Sequence, residues 1–145
     1  MRVLILTPTV LPSVTGNAIT AERWRRSLVS KGLDVRVLSA GQASTASLHE
    51  EIGRFRPHLF HGHHALHSGR LLLHPDVRAI YGDIPFVVSP AGTDINGALE
   101  DREQRKTVFR VCRFSRAIIA QGEGTLVRVK ELLPDLAEKV AQVPK

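Results

Sequence analysis

Cysteine is almost missing from this 145-residue sequence, which has only Cys112. A single thiol excludes an internal disulfide and fits a reducing compartment. Its neighbours Val111 and Phe114 make it a packing residue of a helix rather than a nucleophile. Long apolar runs are missing too: no window approaches the roughly 18 uninterrupted apolar residues of a membrane span, so no integral membrane segment is expected. The apolar start is too short for a signal peptide and has no small-residue cleavage site, which makes the cytoplasm the expected location. Lysine is scarce, five against fifteen arginines, within a net charge of +6. The basic residues come in scattered pairs such as Arg25-Arg26 and Arg105-Lys106, with acidic residues between them. Without a basic tract or interleaved aromatics, nucleic acid is not an expected partner.

What is present is an ordinary globular composition, 43% hydrophobic and 23% charged, at the length of one domain with room for a real core. The chain opens on Arg2-Val3-Leu4-Ile5-Leu6-Thr7-Pro8, a run suited to a strand buried on both faces. A loop with Pro12, Ser13, Thr15, Gly16 and Asn17 follows, and Ala18, Ala21, Trp24 and Leu28 then form one apolar stripe of a helix. Lys31-Gly32 supplies its stop. Further strands are expected at 34–40, 57–64, 85–90, 116–121 and 139–143. The second alternates more and suits a sheet edge. Helices are expected at 48–55, 65–73, 97–114 and along the Leu126, Val129 and Leu133 stripe, with a turn at 76–81. Strands alternating with helices predict a Rossmann-like three-layer sandwich whose six-stranded sheet is mostly parallel. The expected order is 2-1-3-4-5-6, with 3-2-1-4-5-6 as the alternative.

In such sheets ligands bind beyond the carboxyl ends of the strands, where the strand order reverses. That rule selects the loops after strands one, three and four: Pro12–Asn17, His61–His67 and Ala91–Asp94. Strand, glycine-bearing loop and helix at the start of the chain is the opening unit of a nucleotide-binding fold, in which loop amides and a helix N-terminus face a phosphate. There is no G-x-G-x-x-G, only one glycine followed by asparagine. The alternative for Gly16 is a tight turn that uses its backbone freedom. Asp94 suits either a ligand site or a helix N-cap before Asn96-Gly97.

Together the loops resemble those in the N-terminal half of a GT-B glycosyltransferase of the large retaining group numbered family four. The first strand of that family ends in a proline and a glycine-rich loop, here Pro8 to Asn17. A later strand reads proline, aspartate, two apolar residues, histidine, small, histidine, here Pro57-His58-Leu59-Phe60-His61-Gly62-His63. The next ends in histidine-glycine-x-aspartate, here Ala91-Gly92-Thr93-Asp94, and an Ile-Pro-Asn-Gly-like segment into the donor domain corresponds to Val143-Pro144-Lys145. Thr15-Gly16-Asn17, Thr20-Ala21 and Arg23-Trp24 most resemble a subgroup that includes selenosugar synthases of selenoneine biosynthesis. Two departures stand out: Asn17 replaces the second glycine of the loop, and Ala91 replaces the histidine that lies near the reacting sugar in many relatives.

The resemblance implies an acceptor-side domain whose donor-binding partner domain lies beyond this chain. It implies a nucleotide-sugar donor, a UDP-sugar by preference, a small-molecule acceptor and no cofactor. Gly16 and Asn17 would approach the donor diphosphate; His64, Gly92, Thr93 and Asp94 would bind substrate; His61, His63 and Asp94 are the catalytic candidates. An anionic acceptor would suit Arg23, Arg25 and Arg26, which also fit a solvated helix face. Two other classes stay open. One is a stand-alone nucleotide-binding or regulatory domain without catalysis. The other is a metal-binding module built on His58, His61, His63, His64 and His67, in which His63 and His67 would meet at i, i+4 if a helix began early enough.

Overall fold

The computed structural model describes residues 1–97 and 101–143. Six strands form one parallel sheet: β1 (Arg2–Thr7), β2 (Asp34–Ser39), β3 (Leu59–His63), β4 (Phe86–Ser89), β5 (Ala117–Gln121) and β6 (Val140–Val143). Their order, β2-β1-β3-β4-β5-β6, is the expected 2-1-3-4-5-6. The chain steps to one side of β1 for β2, then to the other side for everything after it. The order therefore reverses between β1 and β3, where Ile5 lies beside His61. The alternating second strand is an edge, and the continuous first strand is central with Leu4, Ile5 and Leu6 fully buried.

The helices are α1 (Gly16–Ser30), α2 (Thr45–Phe55), α3 (Arg70–Leu72), α4 (Pro75–Tyr81), α5 (Gly92–Asn96), α6 (Arg102–Phe114) and α7 (Glu123–Leu132). A right-handed crossover to the β2 side and one to the β3 side place their helices on opposite faces. Among the described helices only α1 belongs to the first kind. It packs Ala21, Trp24 and Leu28 against Val3, Ile5 and Val35. The other face carries the large core, with Leu48 and Ile52 of α2, Val77 and Tyr81 of α4, and Val108, Val111 and Cys112 of α6 against Leu4, Leu6, Phe60, Val88 and Ile118. The sheet thus has helices on both faces, as expected, but unequally. Val87 and Ile119, which alternate away from that large core, stay half-buried.

Several elements differ from their expected bounds. The helix expected at 48–55 begins at Thr45, because Ser44 and Ser47 close a reciprocal cap ahead of it. The turn expected at 76–81 is a helix, with Pro75 in its first turn. The helix expected at 65–73 is a π-type turn, Ala65–Gly69, running into the single turn of α3. The helix expected at 97–114 starts later, as α6 at Arg102, capped by Asp101, whose carboxylate accepts from the Glu103 and Gln104 amides, and a separate short helix, α5, occupies Gly92–Asn96 where a loop was expected. Asp94 is consequently not an N-cap: it is the third residue of α5, and its side chain is fully buried. Pro144 and Lys145, the end of the segment compared above with Ile-Pro-Asn-Gly, lie outside the described residues, and so do residues 98–100. Among the described residues no helix is long and apolar enough to cross a membrane.

Gly69, where the π-type turn meets α6, is held to glycine by space. A Cβ there would stand 2.3 Å from Cγ1 of Val111, which is wholly buried. Valine is stiff at χ1 and cannot swing its methyl aside. Gly69→Ala should therefore lower the unfolding free energy by about 1–3 kcal/mol, as overpacking does. In urea titrations, adding Val111→Ala should recover part of that loss, giving a double variant more stable than the two single effects sum to. Strict additivity would show that the contact does not limit this position.

Candidate functional site

Thr7 ends β1 fully buried, and its hydroxyl donates to the Asn17 carbonyl at 3.4 Å. Thr15 caps α1: its side chain accepts from the Ala18 amide at 3.2 Å, its carbonyl takes the Ile19 amide, and its hydroxyl bonds that of Thr9. The amides of Gly16 and Asn17 precede the first intrahelical bond and have no partner among the described residues. They stand at the positive end of a 15-residue helix. Gly16 is not the turn residue of the alternative reading. It is the first residue of α1, its φ is not positive, and a Cβ built on it meets nothing within 4 Å.

Across from this helix end lies the loop after β4. Gly16, Asn17, Ala91, Gly92, Thr93, Asn96 and Gly97 line one open cleft of about 780 Å³. It lies beyond the carboxyl ends of β1 and β4, beside the reversal of strand order. Four expected site residues, Gly16, Asn17, Gly92 and Thr93, meet there. Asn96 and Gly97 join them, although neither was a candidate from sequence. A Rossmann-like sheet with an open cleft at this place has a shape compatible with a nucleotide-type ligand.

The histidines lie behind the cleft. On β3, His61 and His63 alternate to the α1 face. The His61 ring packs on Trp24 with centroids 4.3 Å apart, and its Nε2 meets Ser89 Oγ at 2.8 Å. His63 Nδ1 meets the same oxygen at 3.0 Å. A hydroxyl has one proton to give, so at least one imidazole must donate to Ser89, which couples the tautomers of the pair. Burial pushes His61 down to about 3 and His63 to about 4, so both are neutral at physiological pH. Neither lines the cleft, and nor does Asp94. Ser89 escaped the sequence reading because it looked like the end of an apolar strand. Only the register reveals it, since β3 and β4 pair Ser89 with His63.

His64 links the two regions. Its backbone is left-handed, φ 78° and ψ 106°, which is unusual for a residue with a side chain. The conformation is held from several sides. Its amide donates to the Ser89 carbonyl at 3.0 Å, its carbonyl accepts from Ser68 and Gly69, and the next amide, that of Ala65, donates to Asp94 Oδ2. Its ring meets Thr93 Oγ1 from Nε2 at 3.1 Å, while Nδ1 accepts from the His67 amide at 3.4 Å and lies 3.3 Å from Asp94 Oδ2. Burial lowers His64 to about 4 and raises Asp94 to about 7, the Ala65 amide opposing the latter shift. Asp94 Oδ1 has no hydrogen-bond partner among the described residues.

The helical face expected to carry a metal does not form, since His63 ends β3 while His67 lies in the π-type turn with its ring 4.6 Å from that of His64. Among the described residues, no group of three His, Cys, Asp or Glu is placed to hold a metal ion. On α1, Arg25 and Arg26 both bind Glu22, at 2.7 and 2.8 Å, and hold its carboxyl down at about 2. Cys112 is packed inside α6 and its thiol is pushed up to about 12 by burial, in line with a packing role. No family model matches this chain, and no curated protein matches it either.

These buried groups give the fold a defined pH response. A histidine held below its usual 6.5 binds protons more readily unfolded, so its contribution is present above pH 6.5 and is lost as the pH falls towards about 4. Asp94 acts the other way: held at about 7, its carboxyl keeps its proton better folded, so stability falls as the pH rises from its ordinary 3.8 through 7. Three groups outweigh one, and the chain should lose stability on acidification below pH 6.5. Asp94→Asn removes the opposing contribution. Relative to the parent, its unfolding free energy should be about 1–3 kcal/mol larger, and the fold that much more stable, at pH 8 than at pH 5. A difference independent of pH would show that Asp94 titrates normally.

Proposed function

We propose that the chain is the N-terminal, acceptor-side domain of a GT-B glycosyltransferase, and that its cleft receives a nucleotide-sugar, by preference a UDP-sugar, and a small-molecule acceptor. The observation carrying this reading is the meeting of the α1 N-terminus and the Ala91–Thr93 loop in one cleft beside the strand reversal. The free amides of Gly16 and Asn17 take the donor diphosphate. Asn17 stands where the resembling family has a second glycine, but its half-buried side chain leaves the Gly16 side of the helix end exposed. Gly92 and Thr93 face the sugar and acceptor, and His64 acts through Thr93. His61 and His63, tied to Ser89 and Trp24, support the floor of the cleft. Most donor contacts belong to a second domain.

Gly16 provides the test. Because its backbone is ordinary and a Cβ would meet open space, Gly16→Val should shift the melting temperature by no more than about 2 °C. The same side chain would stand over the amides that hold the diphosphate. Titration with UDP, followed by amide chemical shifts, should move Gly16, Asn17, Gly92 and Thr93 in the parent and show at least about tenfold weaker binding in the variant. Unchanged binding would remove the helix end from the site. By itself the chain should transfer no sugar from a UDP-sugar, and robust turnover would overturn its assignment as half of a cleft.

A further inference from the structure

We infer that the end of the sheet opposite the cleft carries a second site, a cationic pocket that takes the phosphate group of a small organic phosphate. The pocket lies where β4 and β5 begin, so the strands separate it from Gly16 and Thr93, and it does not depend on the glycosyl-transfer reading. Its volume is about 400 Å³, and Arg78, Arg116 and Lys139 line it with one acidic residue, Asp83. None of the three cations pairs with a carboxylate among the described residues, although Arg25, Arg36 and Arg54 elsewhere all do.

Part of this charge answers the fold. Helices α4 and α6 both end at the pocket, at Tyr81 and Phe114, and a helix C-terminus carries roughly half a negative charge. Lys139 serves the end of α6 directly. Its Nζ donates to the Arg113 carbonyl at 2.7 Å and to the Ser115 carbonyl at 3.2 Å, which leaves its third proton free. Arg78 stands in the last turn of α4, its Cζ 5.5 Å from the centre of the Phe114 ring. Arg116 is different. It belongs to no helix, and its backbone is fixed by an amide bond of 2.7 Å to the Phe86 carbonyl. Its side chain is exposed and has no hydrogen-bond or ion-pair partner among the described residues. Three cations against Asp83 and two half-charges leave about one positive charge in surplus. That surplus is what an anion would neutralise.

The number of cations favours phosphate over carboxylate. A phosphate monoester brings three acceptor oxygens and about two negative charges at neutral pH, where a carboxylate brings two oxygens and one charge. Guanidinium forks such as those of Arg78 and Arg116 match phosphate geometry. Phe114 argues for an organic ligand. Its ring is 54% exposed at the pocket, an apolar wall for the body that carries the phosphate.

Phenyl phosphate is the probe, with inorganic phosphate beside it. At about pH 7.5 in the ¹⁵N-labelled chain, phenyl phosphate should move the amides of Gly82, Asp83, Ser115 and Arg116 saturably, with a Kd of about 1 mM or below. The response should persist in Gly16→Val, which separates this pocket from the cleft; its loss there would overturn the second site. Arg116→Gln should weaken binding at least about fivefold with an unchanged melting temperature, because nothing in the fold uses that guanidinium. Arg102→Gln removes the same charge from the far end of α6 and should leave binding within about twofold. Equal losses in the two variants would overturn the pocket in favour of general charge attraction. Inorganic phosphate should bind more weakly, and Phe114→Ser should remove most of the difference. No saturable shift up to about 10 mM phenyl phosphate would overturn the site. Vesicles containing phosphatidic acid present the same group on a surface. Sedimentation with them, without a response to phenyl phosphate, would overturn the small-molecule ligand.

Discussion

The handedness of parallel crossovers governs this molecule. A strand, helix and parallel strand joined in the right-handed sense must place the helix on a face set by the direction of the step. Here one step goes to the β2 side and all later ones go the other way, so among the described helices α1 is alone on its face. The reversal opens the sheet's end between β1 and β3 and aims the N-terminus of α1 at the loop after β4. Every cleft residue, from Gly16 to Gly97, comes from a loop or helix end at that edge. The short apolar strands matter to function because they make these ends converge.

Behind the cleft the protein carries an unusual density of buried polar groups: His61, His63, His64, Ser68, Ser89 and Asp94, none more than 4% exposed. Most buried polar groups of this kind must be satisfied, and these largely are, through Ser89 on one side and Asp94 on the other. Two atoms are exceptions among the described residues, Ser68 Oγ and Asp94 Oδ1. An unsatisfied buried oxygen costs roughly 1–3 kcal/mol. Apolar residues in these positions would pack without that cost, so the cluster works against stability, and it lies where two loops of the cleft are pinned together.

The strands and their order were readable because continuous apolar runs and short links leave few topologies. The cleft loops were readable for the same reason, since the sheet's direction decides which loops share an end. What could not be read was local and cooperative. The start of α6 depends on Asp101, whose carboxylate takes the Glu103 and Gln104 amides of its first turn. The role of Asp94 as an internal brace needed the Ala65 amide, 29 residues away in sequence, to be brought beside it. His64's left-handed backbone carries no composition signal, because glycine or asparagine is the usual sign of such a position. Gly16 was open to the opposite reading, a turn glycine with positive φ, but it starts α1 with an ordinary φ and open space around a built Cβ, so neither backbone nor packing demands glycine there.

The same comparison ranks the site residues physically. Gly16, Asn17, Gly92 and Thr93 face solvent, so a ligand reaches them without rearrangement. His61 and His63 could touch a ligand only by giving up Ser89, which would leave a buried hydroxyl and two buried rings unpaired. His64 is intermediate, buried yet one hydrogen bond from the cleft. Its ring is held from behind as well, since the His67 amide donates to Nδ1 while Nε2 meets Thr93. The ring is therefore fixed between two loops, and moving it would cost both contacts, so His64 positions the loop that carries Thr93 whatever the cleft receives.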